Sequence, residues 1–490
     1  MSTFIMAAQL ITGLALLVFV HEMGHFLAAR MFKVRVPKFY LFFNPTISLV
    51  KCKKINGRWR FKFFSKNLPD METEIGGDGK PVLDENGKKK QRSIDLSSLP
   101  DGDWRKYPEN TEYGIGWLPL GGYCQIAGMI DETQSAGKMA SEPQSWEYRA
   151  VPAWQRLIIT LGGVIVNLLV GVLVFAMVIG KYEKQYLPNE AVTDGIYAFQ
   201  AARDMGFQTG DKIISVNGKK PERFNDALSI KIYFGATVQV ERNGKPTDIV
   251  IGDDAYQILK EERGYIMGAS NYPTVIVEYV LPKGAAYQAG IQKGDELLAI
   301  NDTIPVSSLG VLNENLRRFP NQQISITYLR NTDTLRLEVT PDSSGLIGIT
   351  SLTPYQFKDY TLGECFVYGW KDAMTSLSIN VKAIGKIITG KEKARESVAG
   401  PIGIAQMFGK EWIWERFWRL VGLLSVILAF MNILPIPGLD GGHAIFTTVE
   451  LVTRRKVSDK VLEHAQKVGM LILFLLMALV IGNDIFRLFR

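Results

Sequence analysis

Cysteine is nearly missing from this chain. Cys52, Cys124 and Cys365 are the only three in 490 residues, and no two stand in C-x-x-C spacing, which excludes a thiolate zinc centre and a disulfide framework. Histidine is almost as sparse, confined to His21, His25, His443 and His464. No sign of charge dominates: 56 basic against 49 acidic residues give a formal +7. The basic residues gather at 30–66, 88–92 and 454–460, beside or between apolar runs. A positive-inside distribution explains that placement, and no nucleic-acid partner is called for. The chain also lacks a basic start before its first apolar run, and His21 and Glu22 stand where a cleavage site would need small residues, so the run is expected to be retained rather than removed as a signal peptide.

What is plentiful is apolar sequence. Hydrophobic residues make up 47% of the chain, and runs near the length of a bilayer crossing predict a polytopic α-helical membrane protein with four transmembrane helices. The spans are expected at 4–20 running on into 21–25, at about 154–179, at roughly 417–434 and at about 468–481. Arg30, Lys33, Arg35 and Lys38 place the end of the first span in the cytoplasm, and Arg454, Arg455 and Lys456 mark a cytoplasmic return before the last.

The first run ends in His21-Glu22-Met23-Gly24-His25. On a helix, residues four apart share a face, so two imidazoles grip one metal ion while Glu22, on the adjoining flank, reaches a metal-bound water. A bland alternative is that the three satisfy one another in a bundle. Against it stands the cost of an acid at the centre of a membrane helix, about 2.5–3.5 kcal/mol. The third span ends in Asn432-Ile433-Leu434-Pro435-Ile436-Pro437-Gly438-Leu439-Asp440-Gly441-Gly442-His443, which must leave the helix. Unwinding at depth is explained if Asp440 swings toward the histidines as third zinc ligand, with a fourth position open for water. His443 competes for that role but is expected to be a supporting or helix-starting residue, and His464 an interfacial one. In the second span Gly163, Asn167 and Gly171 share a face, which suits close helix packing with Asn167 either as glue or facing substrate.

Between the spans, 50–113 is polar and turn-rich without sustained periodicity, and reads as short hairpins or partly disordered loops. The glycine-rich segment 114–123 is too short to span; it is either a hairpin under the bundle or a re-entrant loop beside the site. From 181 to about 361 the chain turns soluble in character and repeats itself. Met205-Gly206-Phe207-Gln208-Thr209-Gly210-Asp211 through Asn217 returns as Ala289-Gly290-Ile291-Gln292-Lys293-Gly294-Asp295 through Asn301. The pattern resembles PDZ domains, which implies two in tandem, each with a groove for an extended peptide. Next, Phe366, Val367, Trp370, Met374, Leu377, Val381, Ile384 and Ile388 recur at helical spacing, predicting an amphipathic helix along the membrane surface or against the bundle. Trp412, Trp414 and Trp418 form an aromatic belt at the third span.

Taken together, His21-Glu22-Met23-Gly24-His25, Gly163-x-x-x-Asn167 and Asn432-x-x-Pro435-x-Pro437-x-Leu439-Asp440-Gly441-Gly442 resemble the site-2 protease family of intramembrane zinc metalloproteases, in its bacterial RseP type. The resemblance implies a first span with its motif at 1–32, a cytoplasmic loop at 33–150 with a membrane-associated β-loop at about 113–128, and a second span at 151–181. PDZ-like mixed α/β domains follow at 182–270 and 271–360, then an amphipathic interfacial region at 361–412, a third span at 413–445, and a cytoplasmic turn with the fourth span at 446–490. It implies Zn²⁺ as cofactor on His21, His25 and Asp440, and Glu22 as general acid/base. Asn432, Asn167, Gly121 and Gly122 would hold the unwound substrate. The expected partners are single-span membrane proteins such as anti-sigma factors already shed by a first protease, membrane lipid, and peptide C-termini at the PDZ grooves. The expected location is the bacterial inner membrane, with PDZ domains and both termini periplasmic and the active site toward the cytoplasm. Rival readings are an inactive PDZ scaffold and a secondary transporter, which would show paired broken spans.

Overall fold

The computed structural model describes residues 2–67, 71–73, 91–94, 99–100, 102–119, 121–129, 142–227, 232, 235–252, 255, 267–269, 275–306, 308–352, 356–390 and 399–488. The chain divides into two compact units, Met1–Ile179 with Leu362–Arg490, and Gly180–Thr361.

The first unit opens with α1 (Ser2–Met31), 30 residues without a proline, about 45 Å of helix. A five-stranded sheet follows, built of β1 (Lys38–Leu41), β2 (Phe43–Ile55), β3 (Arg58–Lys66), β4 (Glu112–Leu118) and β5 (Tyr123–Gln125) in the order β3-β2-β4-β1-β5. Only β1 and β4 run parallel. Phe39 and Cys124 of the sheet pack with Val34, Val36 and Ile126 on Ala28 and Ala29 at the end of α1, and Phe39 meets Phe19 and Phe26 edge-on.

Here the expectation of short hairpins or loops from residue 50 fails as far as Lys66. β2 and β3 form one long hairpin, closed by Asn56-Gly57 with φ of 49° and 76°, the positive pair that a two-residue hairpin turn requires. Trp59, Phe61 and Phe63 alternate with Arg58, Arg60 and Lys62; the average is polar, while the alternation is the strand period. Positions 68–70, 74–90, 95–98 and 101 of the expected insert lie outside the described residues. The glycine-rich segment is not a free-standing hairpin: its first part is β4, an interior strand between β2 and β1, and the chain then leads to β5 at the sheet's edge. Next comes α2 (Ala153–Tyr182).

The second unit holds two hydrophobic cores, one per sequence repeat. The first repeat contains β6 (Ile196–Ala198), α3 (Gln200–Asp204), β7 (Lys212–Val216), β8 (Ala236–Arg242), β9 (Lys245–Ile251) and β10 (Met267–Ala269). The second contains β11 (Val275–Val280), α4 (Ala285–Ala289), β12 (Glu296–Ile300), β13 (Ile304–Pro305), α5 (Leu309–Leu316), β14 (Ile324–Arg330), β15 (Asp333–Val339) and β16 (Ile349–Ser351). The repeated letters make the same bonds twice. Asp211 accepts from the Gln208 amide and is gripped by Arg242, which also donates to Gly206 O. Asp295, Gln292, Arg330 and Gly290 do likewise. Asn217 and Asn301 cap the Thr237 and Ser325 amides. A buried carboxylate with a two-pronged guanidinium partner is a satisfied charge, which explains why these polar positions recur.

The chain returns to the first unit with α6 (Leu362–Ile388), α7 (Pro401–Phe408), α8 (Trp414–Ile433), α9 (Asp440–Thr453) and α10 (Asp459–Leu488). α6 takes the second of its two expected places: Gly369 lies against Val172 O and Ala176 N, and Ala373 is buried with Phe175 and Val426. The N-terminus of α7 is capped by buried Asp484 of α10, which accepts from the Gly400, Ile402 and Gly403 amides. Trp412, Trp414 and Trp418 cluster around Phe417. α10 begins well before 468 and takes His464 into the helix, because 459–467 is made of good helix formers braced by a Glu463–Lys467 pair at 2.8 Å. Among the described residues four helices, α1, α2, α8 and α10, are long and apolar enough to cross a membrane.

Candidate metal centre

His21 and His25 lie one helical turn apart on α1 with their rings edge to face, centroids 4.8 Å apart. His25 Nδ1 is 2.9 Å from Ile159 O of α2. A carbonyl only accepts, so the proton sits on Nδ1 and Nε2 is left with a free lone pair. That Nε2 lies 3.3 Å from His21 Nε2. Asp440 Oδ2 completes a nearly equilateral triangle, 3.2 Å from His21 Nε2 and 3.3 Å from His25 Nε2. Ligand atoms at tetrahedral angles about 2.0–2.1 Å from zinc stand about 3.3–3.4 Å apart, so the triangle has the edges that ion needs. Asp440 Oδ2 is buried with no hydrogen-bond donor among the described residues, which is costly for a carboxylate unless a cation faces it.

The local sequence explains how three elements meet here. α8 stops at Ile433, and Pro435, Pro437 and Gly438, the last with φ of 97°, carry the chain back so that Asp440 becomes the first residue of α9. Gly441 and Gly442 then pass so close to the Leu434 and Ile436 carbonyls that a Cβ on either would clash. α1 and α2 touch backbone to backbone at Gly24 and Gly162, and Gly163 faces the two imidazoles.

Glu22 lies half-buried on the same turn of α1. Asn167 Nδ2 is 3.1 Å from His21 Nδ1, and Asn432 Nδ2 is 3.3 Å from His21 Nε2. Gly121 and Gly122 lie in the β4–β5 link, away from the triangle's own contacts. A Cβ on Gly121 would meet the Phe43 ring at 2.9 Å, and one on Gly122 would be 2.6 Å from Tyr40 O and 2.9 Å from Val18 of α1. His443 stays out of the triangle and hydrogen-bonds Gln466 of α10. Gly24, Gly162 and Ile159 were not singled out by sequence. The small residues carried the weak signal of a close helix crossing; a backbone acceptor carries none.

The sequence profile of Peptidase family M50 matches residues 9–77 and 104–476. The chain belongs to peptidase family M50. The matched span takes in α1 from Gln9 onward and the whole of α8 and α9, so all three corners of the triangle fall inside it. Among curated relatives, the regulator of sigma-E protease RseP of Escherichia coli K12 is 24% identical over 98% of both chains. Protease RseP of Yersinia pestis is 26% identical over the same shares. A Neisseria meningitidis protein named "Putative zinc metalloprotease" is 28% identical over 77% of this chain and 88% of its own.

Proposed function

We propose that this M50 chain is an intramembrane zinc metalloprotease that hydrolyses peptide bonds in or near the transmembrane segments of single-span membrane proteins. The observation that carries the reading is the triangle of His21 Nε2, His25 Nε2 and Asp440 Oδ2 between membrane-length helices. Two neutral imidazoles and one carboxylate are the donor set of a catalytic zinc, and the relatives named as zinc metalloproteases agree with it. When bound, zinc supplies a Lewis acid for the scissile carbonyl and an acidified water.

The chain's own residues do the rest. Glu22 takes one proton of the attacking water and passes it to the leaving nitrogen, so that bond cleavage gives an amine and a carboxylic acid, and the water's second proton then moves from that acid to the amine to leave a carboxylate and an ammonium. Asn432, whose amide reaches the Nε2 side of His21, holds a carbonyl of the unwound substrate. A transmembrane helix hides its carbonyls in its own hydrogen bonds, so the substrate has to unwind first, and Gly121 and Gly122 beside the sheet take the freed strand. The repeats at 182–270 and 271–360 are PDZ-like domains on the periplasmic side, with the metal centre toward the cytoplasm, as the basic residues after α1 favour.

Cleavage of a short-ectodomain, single-span protein by the purified chain in detergent tests the reading. Glu22→Gln is expected to keep its zinc and lose about 10²–10⁴-fold in rate, and chelation to abolish cleavage in the wild type. Equal rates for both proteins would remove Glu22 from the mechanism, and wild type that carries zinc yet cuts nothing would favour a scaffold.

A further inference from the structure

We propose that Asn167 is a positioning residue that sets the tautomer and ring orientation of His21, an inference that rests on the zinc reading above. Asn167 has no exposed surface, and it touches His21 on Nδ1, the ring nitrogen opposite the one in the triangle. As placed, Nδ2 faces Nδ1 at 3.1 Å while the amide's own Oδ1 is buried without a partner among the described residues. The two ends of a side-chain amide exchange by a half-turn. After it, Oδ1 accepts from His21 Nδ1–H, the orphaned oxygen is satisfied, and Nε2 presents its lone pair to the triangle. In the other state Nδ2 donates to Nδ1, which puts the imidazole proton on Nε2, pointed at His25 Nε2 and Asp440 Oδ2.

His25 has already made the same choice through Ile159 O. Both rings thus present Nδ1 to acceptors on α2, eight residues apart, and converge on their Nε2 atoms. Asn167 is itself pinned: Ser425 Oγ of α8 donates to its backbone oxygen at 2.7 Å. One residue, by its side chain toward α1 and its backbone oxygen toward α8, therefore ties α1, α2 and α8 at the level of the metal centre. With no surface open to solvent, Asn167 bears on substrate only through His21.

The test measures zinc affinity of the full-length protein in detergent by competition with a chromophoric chelator, together with the visible spectrum of the cobalt-substituted protein. Asn167→Leu should bind zinc about 10–100-fold more weakly than wild type, the loss typical of removing a ligand's hydrogen-bond partner, and should shift the cobalt bands. Asn167→Asp, which can only accept, should bind at least as tightly as wild type with the wild-type cobalt spectrum. That variant keeps the test alive if Asn167→Leu does not fold. A tenfold or greater loss in Asn167→Asp, or wild-type affinity in a folded Asn167→Leu, overturns the inference and leaves the zinc reading standing. If wild type binds zinc no better than His21→Ala, the zinc reading falls and this inference with it.

Discussion

Gly163 occupies the position nearest the two imidazoles on the α2 side. A Cβ there would sit 2.5 Å from both His21 Cε1 and His25 Nε2, well inside contact distance, and both rings are already fixed by hydrogen bonds to α2. Gly163→Ala is therefore expected to push the rings out of the triangle and weaken zinc binding by more than about tenfold. The chelated protein should unfold no earlier than wild type, because alanine is the better helix former by about 1 kcal/mol. Gly24→Ala should behave in the opposite way. Its Cβ would press on the Gly162 carbonyl, a backbone group that cannot rotate aside, so the helix crossing itself should loosen, at a cost of about 1–3 kcal/mol. Thermal unfolding of the two variants with and without chelator separates a lost ligand geometry from a lost crossing; similar behaviour of both would mean that neither glycine has the role its neighbours suggest.

At the scale of elements, the turn from α8 to α9 is held from outside by α10. A Cβ on Gly469 would overlap the Pro437 carbonyl, so the proline-rich turn rests directly on that helix, three residues before Asp440. Gly469→Ala should lift the turn and cut proteolysis more than tenfold on the order of a misplaced ligand, read as rate at saturating zinc; an unchanged rate would show that the turn does not depend on α10. This turn was legible because proline and glycine announce a broken helix, and the histidine pair because its spacing is that of one helix face. The β2–β3 hairpin was not, since alternating aromatic and basic residues average to a polar loop, and the Ile159 carbonyl could not be, because backbone acceptors have no letter. In the second unit, the Tyr197 ring covers Gly310 and its hydroxyl donates to Glu314, which also pairs with Arg203 at 3.2 Å, joining the two repeats. Burial and that carboxylate push the Tyr197 phenol up to about 12 from 10.0. A raised pKa means the contribution is whole below pH 10.0 and lost as pH climbs toward about 12. Chemical denaturation of the full chain in detergent should show this alkaline loss, and Tyr197→Phe should flatten it; an identical slope in both would assign the loss to other groups.

Across the whole molecule, the residues assigned to binding zinc, moving protons and holding the substrate carbonyl, His21, Glu22, His25, Asp440 and Asn432, all come from the first unit, and the repeats contribute none. Each repeat has its own buried Asp–Arg pair and its own core, made without any residue of the metal centre. If they select substrates rather than help to cut them, removing 182–360 and bridging the gap with a flexible linker should leave the hydrolytic rate on a short-ectodomain substrate within a few-fold of wild type. The same deletion should raise the rate on a substrate whose ectodomain has not been shed, because nothing then excludes its bulk from the membrane helices. Comparing the two substrates in the two proteins isolates selection from chemistry, since the short substrate reports on the metal centre alone. Unchanged discrimination after the deletion, with the short substrate still cut, would refute the filter and leave the repeats as a docking platform for some other partner.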